Sequence, residues 1–431
     1  MLRTKTLLSS LILILSFQHA FSQGQGNTPY SVFGYGELAD PSAASQDMMG
    51  GTGASFANAF YVNLINPALL VKNRYAANLK YVAFDVGLRG NSRTITSANS
   101  TQFDLGMNLT HLSLTTPITQ NWAMAVALRP YSMVDHKSSS QETIVGSQDE
   151  IVNYENSNTG GISRVSYVNS FRVLNDFYIG IEGAYNFGTI TKDSSSYLFG
   201  LASTQLRNTS RYTLKGTSLK LGVAYQHKLS QKWRLNVGGS TEISSTLKGD
   251  LLKTFATYSD QGQGPTLATL PDTVGMTSIS ASTPAQFRAG VSLESPFKWV
   301  FAADYHTTRW SNHKALDKTA EAVLTNTEEY KFGIEWLPNS SSTKYLNQVF
   351  YRVGFATGNS PYFINNTQVK DSRFSFGMSL PMGFRNPSYV NLGMAVGTRG
   401  TTANNLIQEQ YIRFSASMSL LSPWFIKPKI D

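Results

Sequence analysis

The sequence predicts an all-β fold: a transmembrane antiparallel β-barrel of about 14 strands, with an N-terminal hatch (plug) inside the lumen. Three observations predict it. Period-two alternation of apolar with small or polar residues recurs along most of the chain. Connections between the alternating segments switch between short and long. Charged residues make up only 15% of the 431 residues, too few for a water-facing surface of this size.

Composition excludes several classes. The chain has no cysteine, which rules out a disulfide framework, a Cys-ligated zinc or iron–sulfur site and a thiol nucleophile. Aromatics at 12% argue against disorder. Lys+Arg 36 against Asp+Glu 27 gives +9, but no cationic run forms the footprint of a nucleic-acid binder.

Taken in chain order, the first element is a secretory signal, residues 1–22. Arg3 and Lys5 precede an apolar run from Leu7 to Phe17, and Ala20-Phe21-Ser22 supplies small residues for cleavage near Ser22/Gln23. The run is too short to span a bilayer as a helix, and no later stretch reaches that length. An exported chain of this kind stays soluble or enters a membrane as strands, and the strands point to a Gram-negative outer membrane.

Residues 23–72 lack the strand rhythm and are rich in glycine. They read as a hatch, because a fourteen-strand lumen is too wide for wall side chains to fill. Residues 73–421 form the expected barrel, and 422–431 a tail that continues past the last strand. In the segment 373–380, Phe374, Phe376, Met378 and Leu380 alternate with Arg373, Ser375, Gly377 and Ser379; 102–109, 390–397 and 411–420 follow the same rule. The strands are expected near 75–88, 102–115, 121–133, 162–173, 176–188, 211–228, 233–247, 284–294, 299–309, 328–337, 347–357, 371–381, 388–397 and 408–420. Short connections such as Leu174-Asn175 alternate with long polar stretches at 89–101, 134–161, 189–210, 248–283 and 310–327. That parity describes an outer-membrane barrel with its short turns on the periplasmic side. Rings near strand ends (Tyr75, Tyr81, Trp122, Tyr131, Trp233, Trp299, Trp310, Trp336, Tyr389 and Trp424) are candidates for an interfacial girdle.

Several short pieces carry a family resemblance. They are the Gly-rich stretch Met49–Ala54, Asn66-Pro67-Ala68, Phe287–Val291 with Ala302-Ala303-Asp304-Tyr305 and Trp310, Tyr351–Phe355 before Ser360-Pro361, and the strands 372–380 and 389–397. Together they resemble the FadL-like outer-membrane transporters of hydrophobic compounds, in a Bacteroidota-type version. The resemblance implies a fourteen-stranded barrel, a hatch in which Gly50, Gly51, Gly53, Asn66, Pro67 and Ala68 take part in gating, and apolar ligands that enter from outside and leave sideways through the wall. It also implies an outer capture groove on the loops that hold Leu198, Phe199 and Leu201, and Leu251, Leu252 and Phe255. Those apolar islands could equally pack on each other as a lid. A kink in the third strand opens the wall in that family, and Pro130 could mark it or could sit near the strand's outer end, since proline cannot donate to a ladder. Arg373, Arg413, Glu182 and Asp104 turn to the polar face, where they either hold a ligand carboxylate or pair with one another.

Enzyme chemistry is not expected. No HExxH, GxSxG elbow or P-loop occurs, and the loose Gly34-x-Gly36-x-x-Ala39 match lacks a βαβ context. No metal or cofactor site is expected either. The expectation is therefore passive uptake of hydrophobic compounds such as long-chain fatty acids, gated by the hatch. The alternative is a non-transporting accessory barrel in an outer-membrane secretion or barrel-assembly complex, with a protein partner.

Overall fold

The computed structural model describes residues 27–58, 60–72, 81–143, 151–198, 204–260, 265–311, 313–316, 323–383 and 388–423. The expected signal segment, Tyr75, Phe199, Leu201 and Trp424 lie outside the described residues.

A two-residue strand, β1 (Glu37–Leu38), lies in the N-terminal segment expected to form the hatch, and that segment is called the hatch below. The wall is built from β2 (Tyr81–Thr96), β3 (Thr101–Thr119), β4 (Trp122–Thr143), β5 (Ile151–Leu174), β6 (Phe177–Leu198), β7 (Thr204–Lys228), β8 (Arg234–Glu242), β9 (Thr246–Asp260), β10 (Pro265–Leu267), β11 (Asp272–Ser282), β12 (Ala285–Ser295), β13 (Trp299–Arg309), β14 (Thr327–Trp336), β15 (Phe350–Ile364), β16 (Thr367–Pro381), β17 (Tyr389–Gly400) and β18 (Gln408–Pro423). β8 and β9 are two lengths of one wall strand, since both pair with β7. β11 and β12 are likewise one strand, paired with β9 and β8. β10 only caps the tip of β9. With each joined pair counted once, the wall has fourteen antiparallel strands, closed by β18 on β2.

Each wall strand overlaps one of the fourteen expected segments. The alternation works inside out relative to a water-soluble protein. On β16, Phe374, Phe376 and Met378 face outward and are exposed, while Ser375 and Ser379 are buried toward the lumen. Such an outward apolar stripe is stable only against lipid. Closure is what a bilayer demands, because unpaired backbone groups cannot face hydrocarbon.

The long polar stretches differ from expectation. Most of 134–161, 189–210 and 248–283 is strand, standing beyond the apolar belt as tall hairpins. On β4, period two ends where neither face is covered: Lys137 to Thr143 are all exposed, and the ladder to β5 holds the strand. Leu251, Leu252 and Phe255 consequently sit on β9, paired with β7 and β11, and not on a loop; Leu198 ends β6. The ring girdle is partly corrected too. Trp299 and Trp336 stack at 5.6 Å, and Tyr351 packs on Trp336, near the end of the barrel that carries the short turns. Tyr131 and Trp310 point inward and are buried, so they belong to the interior.

Candidate functional site

The hatch is fitted to the wall at its inner part. A short helix, α1 (Ala44–Asp47), leads into Met48 to Ala54. Gly50 and Gly51 have φ of +71° and +83°, a region in which only glycine is unstrained. A Cβ on Gly50 would also lie 2.7 Å from the carbonyl oxygen of Phe355 on β15. Gly53 and Ala54 donate their amides to Asp304 on β13, at 2.7 and 2.8 Å. Gly53 is packed so closely that a Cβ there would meet Ile65 at 2.8 Å.

Asn66 closes the turn into Pro67–Leu70. Its amide donates to the carbonyls of Ala54 (2.7 Å) and Val223 (3.0 Å), and its oxygen accepts from Ala68 N at 3.0 Å. Pro67 occupies the first position of this 3-10 turn, where its missing N–H costs nothing. Ala68 is fully buried, and its carbonyl accepts from Ser170 on β5 at 2.8 Å. The structure thus brings Gly50, Gly51, Gly53, Asn66, Pro67 and Ala68 together in one buried body against the wall.

A belt of lumen-facing wall glycines was not recognised from the sequence. Gly180, Gly222, Gly238, Gly333, Gly354 and Gly377 each lie where a Cβ would collide with the hatch. The signal was present: Gly377 and its neighbours fall on the polar face of their strands, spaced by two.

The outer part of the hatch is held differently. β3 and β4 pair only from Leu112↔Leu128 down to Thr119↔Trp122. Above that point β4 continues to pair with β5, yet it has lost β3. The hatch takes the vacant place. Glu37 and Leu38 pair with Met133 and Ser132. Ala39 N donates to Tyr131 O, Thr28 N to Asp135 O, and the Asn27 amide to Lys137 O. Residues 101–111 of β3 are left without a ladder partner on that side, a seam of roughly 35 Å at about 3.3 Å per residue. Pro130 sits where the seam begins, beside a bulge in the β4–β5 register between Pro130 and Ser132, in the middle of its strand and not near its end.

Two cavities flank the seam. One of about 730 Å³ lies at its mouth, between the β2–β3 tip (Ser97, Gln102) and His136 to Ser139. A second, about 180 Å³, lies inside between hatch and wall, lined by Glu37, Asp40 and six arginines. The charged residues expected on the polar face all have protein partners. Arg373 meets Glu329 at 2.9 Å, Arg413 meets Asp47 at 3.8 Å, Glu182 sits between Arg129 and Lys220, and Asp104 accepts from Asn27 N at 2.6 Å. Among the described residues, no cluster of potential metal ligands occurs.

A family model described as BamG matches residues 1–431. No curated protein matches the chain. Among solved structures, the toluene transporter TbuX of Ralstonia pickettii superposes with a TM-score of 0.56 at 13% identity, covering 88% of this chain and 98% of that one. The toluene transporter TodX of Pseudomonas putida gives 0.55 at 16%, covering 90% and 100%. A FadL homologue of Pseudomonas aeruginosa gives 0.54 at 12%, covering 90% and 99%. These likenesses establish a shared fold, the FadL-like barrel, and a fold is not in itself a function.

Proposed function

The chain belongs to the BamG family, and we propose that it is an outer-membrane barrel that passes hydrophobic compounds, long-chain fatty acids among them, sideways between its outer lumen and the bilayer. The observation that carries this reading is the seam between β3 and β4. Unpaired backbone at membrane depth is tolerated only where it meets protein or a polar cavity, and the hatch arm with the flanking cavities supplies both. In this mechanism the arm from Asn27 to Ala39 is the gate. It is held to β4 by a few backbone hydrogen bonds, each worth about 1 kcal/mol net, and to the rest of the wall by Glu37–Arg399 at 2.7 Å and by Tyr30 and Tyr35, packed in a buried ring cluster; opening must release all of these. The body from α1 to Leu70 stays in place and blocks axial flow. No cofactor or reaction is needed, since transfer from water into an apolar phase is favourable in itself.

The test uses the absence of native cysteine. Met107→Cys with Met133→Cys puts one thiol on β3 and one on β4 across the seam, and a bis-methanethiosulfonate bridges them through two disulfides, each thiolate displacing a sulfinate. Bridging should abolish uptake of a fluorescent long-chain fatty acid by cells carrying the protein, and reduction of a cleavable bridge should restore it. Unchanged uptake with the lips bridged removes the lateral route.

A second reading, the accessory barrel subunit, is favoured by a different observation. The hatch body is fixed around the lumen by the glycine belt and by ion pairs such as Lys331–Asp40 at 2.7 Å and Arg89–Asp47 at 3.1 Å. An apolar groove of about 520 Å³ also lies on the lipid-facing wall, lined by Val291, Phe301, Phe332, Phe355 and Phe374. Native purification that returns a stoichiometric protein partner, with uptake absent, selects this reading.

A further inference from the structure

We propose that the arginine-lined cavity inside the seam binds the headgroup of a phosphate-bearing amphiphile, whose apolar chain lies along the outer lip of β3. The inference rests on the lateral reading above and names the ligand class for that site.

The first support is an excess of donors. Arg89, Arg93, Arg288, Arg373, Arg399 and Arg413 converge on the cavity from β2, β12, β16, β17 and β18. The acids that line it are already engaged: Glu37 with Arg399 at 2.7 Å, Asp40 with Lys331 at 2.7 Å, Glu329 with Arg373 at 2.9 Å, and Asp371 with Arg399 at 2.9 Å. Donors remain over. Nε of Arg89 and Nε of Arg373 are buried without an acceptor, on side chains that are themselves more than nine-tenths buried. The Nδ2 of Asn108, on the unpaired length of β3, is buried and unpartnered as well. Arg288 stands 3.9 Å from Asp40, beyond hydrogen-bond distance. Buried donors without acceptors cost free energy, and an anion placed among them recovers it.

The second support is the shape of the entrance. Phe103, Leu105 and Met107 project outward from the unpaired length of β3 and are 66%, 54% and 58% exposed. Their register partners on β2 are Thr94, Ser92 and Gly90, which give them no apolar cover. An apolar row therefore borders a cationic cavity, the complement of an amphiphile. A carboxylate is satisfied by one arginine fork, whereas the three oxygens of a phosphate can accept from several directions at once, and the lining arginines come from five different strands.

Binding is measured on the purified, folded protein in a neutral detergent, with dodecyl phosphate, dodecanoate, dodecyl maltoside and inorganic phosphate as probes. Dodecyl phosphate should bind at least tenfold more tightly than dodecanoate or dodecyl maltoside. Asn108→Ala, which removes an Nδ2 donor that has no acceptor, should weaken it about threefold. Arg288→Gln, which leaves Asp40 held by Lys331, should weaken it about tenfold. Met107→Ser should weaken dodecyl phosphate without affecting inorganic phosphate. Equal binding of inorganic phosphate and dodecyl phosphate makes this a free-anion site and overturns the amphiphile. No binding of dodecyl phosphate to protein with normal heat-modifiable migration overturns the site altogether. If lip bridging stops uptake while dodecyl phosphate fails to bind, the lateral route stands and this inference falls; if dodecyl phosphate binds while bridging leaves uptake intact, the site stands and the lateral route falls.

Discussion

The inner and outer halves of the lumen are filled by one continuous hatch, yet they are built on opposite principles. In the inner half, the wall ladder is complete, glycines clear space for the hatch backbone, and buried side chains such as Asn66 and Asp304 accept or donate at normal hydrogen-bond distances. In the outer half, one ladder is broken, the hatch substitutes for a strand, and the Nε donors of Arg89 and Arg373 are buried without an acceptor. The inner half is held by glycine-cleared backbone packing against a complete ladder; the outer half combines a ring cluster (Tyr30, Tyr35, Tyr131, Trp310 and Tyr362) with ion pairs and hatch-to-β4 hydrogen bonds beside a broken one. On the mechanism proposed above, motion and ligand exchange belong to the half in which a wall ladder is broken.

The largest effect should come from filling the inner fit. Gly354→Val should destabilise the folded barrel by roughly 3 kcal/mol or prevent the hatch from seating, because a side chain there enters the hatch backbone at Met49 and Gly50. Gly275→Val, where nothing lies within 4 Å, should be silent. Heat-modifiable migration and Tm in detergent measure both, and equal effects would erase the contrast between the halves.

The next effect is Asn66→Ala. It leaves the buried carbonyl of Ala54 and the amide of Ala68 without their partner and should cost about 2 kcal/mol. The matching change in the outer half, Asn108→Ala, removes an unpartnered amide and should alter stability by less than about 0.5 kcal/mol. A cost for Asn108→Ala as large as that for Asn66→Ala would mean that the outer half is as tightly fitted as the inner.

How much of this was legible in the sequence follows the same division. Wherever one strand face meets lipid and the other meets the lumen, alternation is strict, and each of the fourteen strands is visible. Where Lys137 to Thr143 stand in water on both faces, alternation carries no information, and strand reads as loop. Asn66 and the hatch glycines stood out in the sequence through the family resemblance, and the structure places them in one buried body against the wall. The pairing of Glu37 and Leu38 with Met133 and Ser132 was not legible, because a register between segments about a hundred residues apart leaves no local trace. Pro130 announced an interrupted ladder, but a proline alone cannot say that the partner strand is missing from that point outward. Tyr131 and Trp310 were misplaced because an aromatic ring near a strand end satisfies an interface or a buried cluster equally well.

The smallest expected effect concerns pH at the outer cluster. His313 packs against Tyr35 and Trp310 in the connection after β13, and burial pushes its pKa down to about 4. In the unfolded chain its value is about 6.5. The unfolded state therefore binds a proton that the folded state refuses, so this contribution is fully present above pH 6.5 and is lost as pH falls toward 4. Tm should decline slightly over that interval, and His313→Asn should flatten the decline. An unchanged slope in His313→Asn assigns the decline to other groups.

Hydrogen–deuterium exchange of β3 tests the division most directly. One strand crosses both halves, with residues 112–119 paired to β4 and residues 101–111 not. In 101–111, the amides that point away from β2 should exchange markedly faster than the amides of 112–119 that point to β4, while Asp135 and Lys137 of β4 remain protected by Ser31 and Asn27 of the hatch arm. Uniform protection along the whole of β3 would mean that the wall is closed to its rim, and the account of a seam beside the hatch would be wrong.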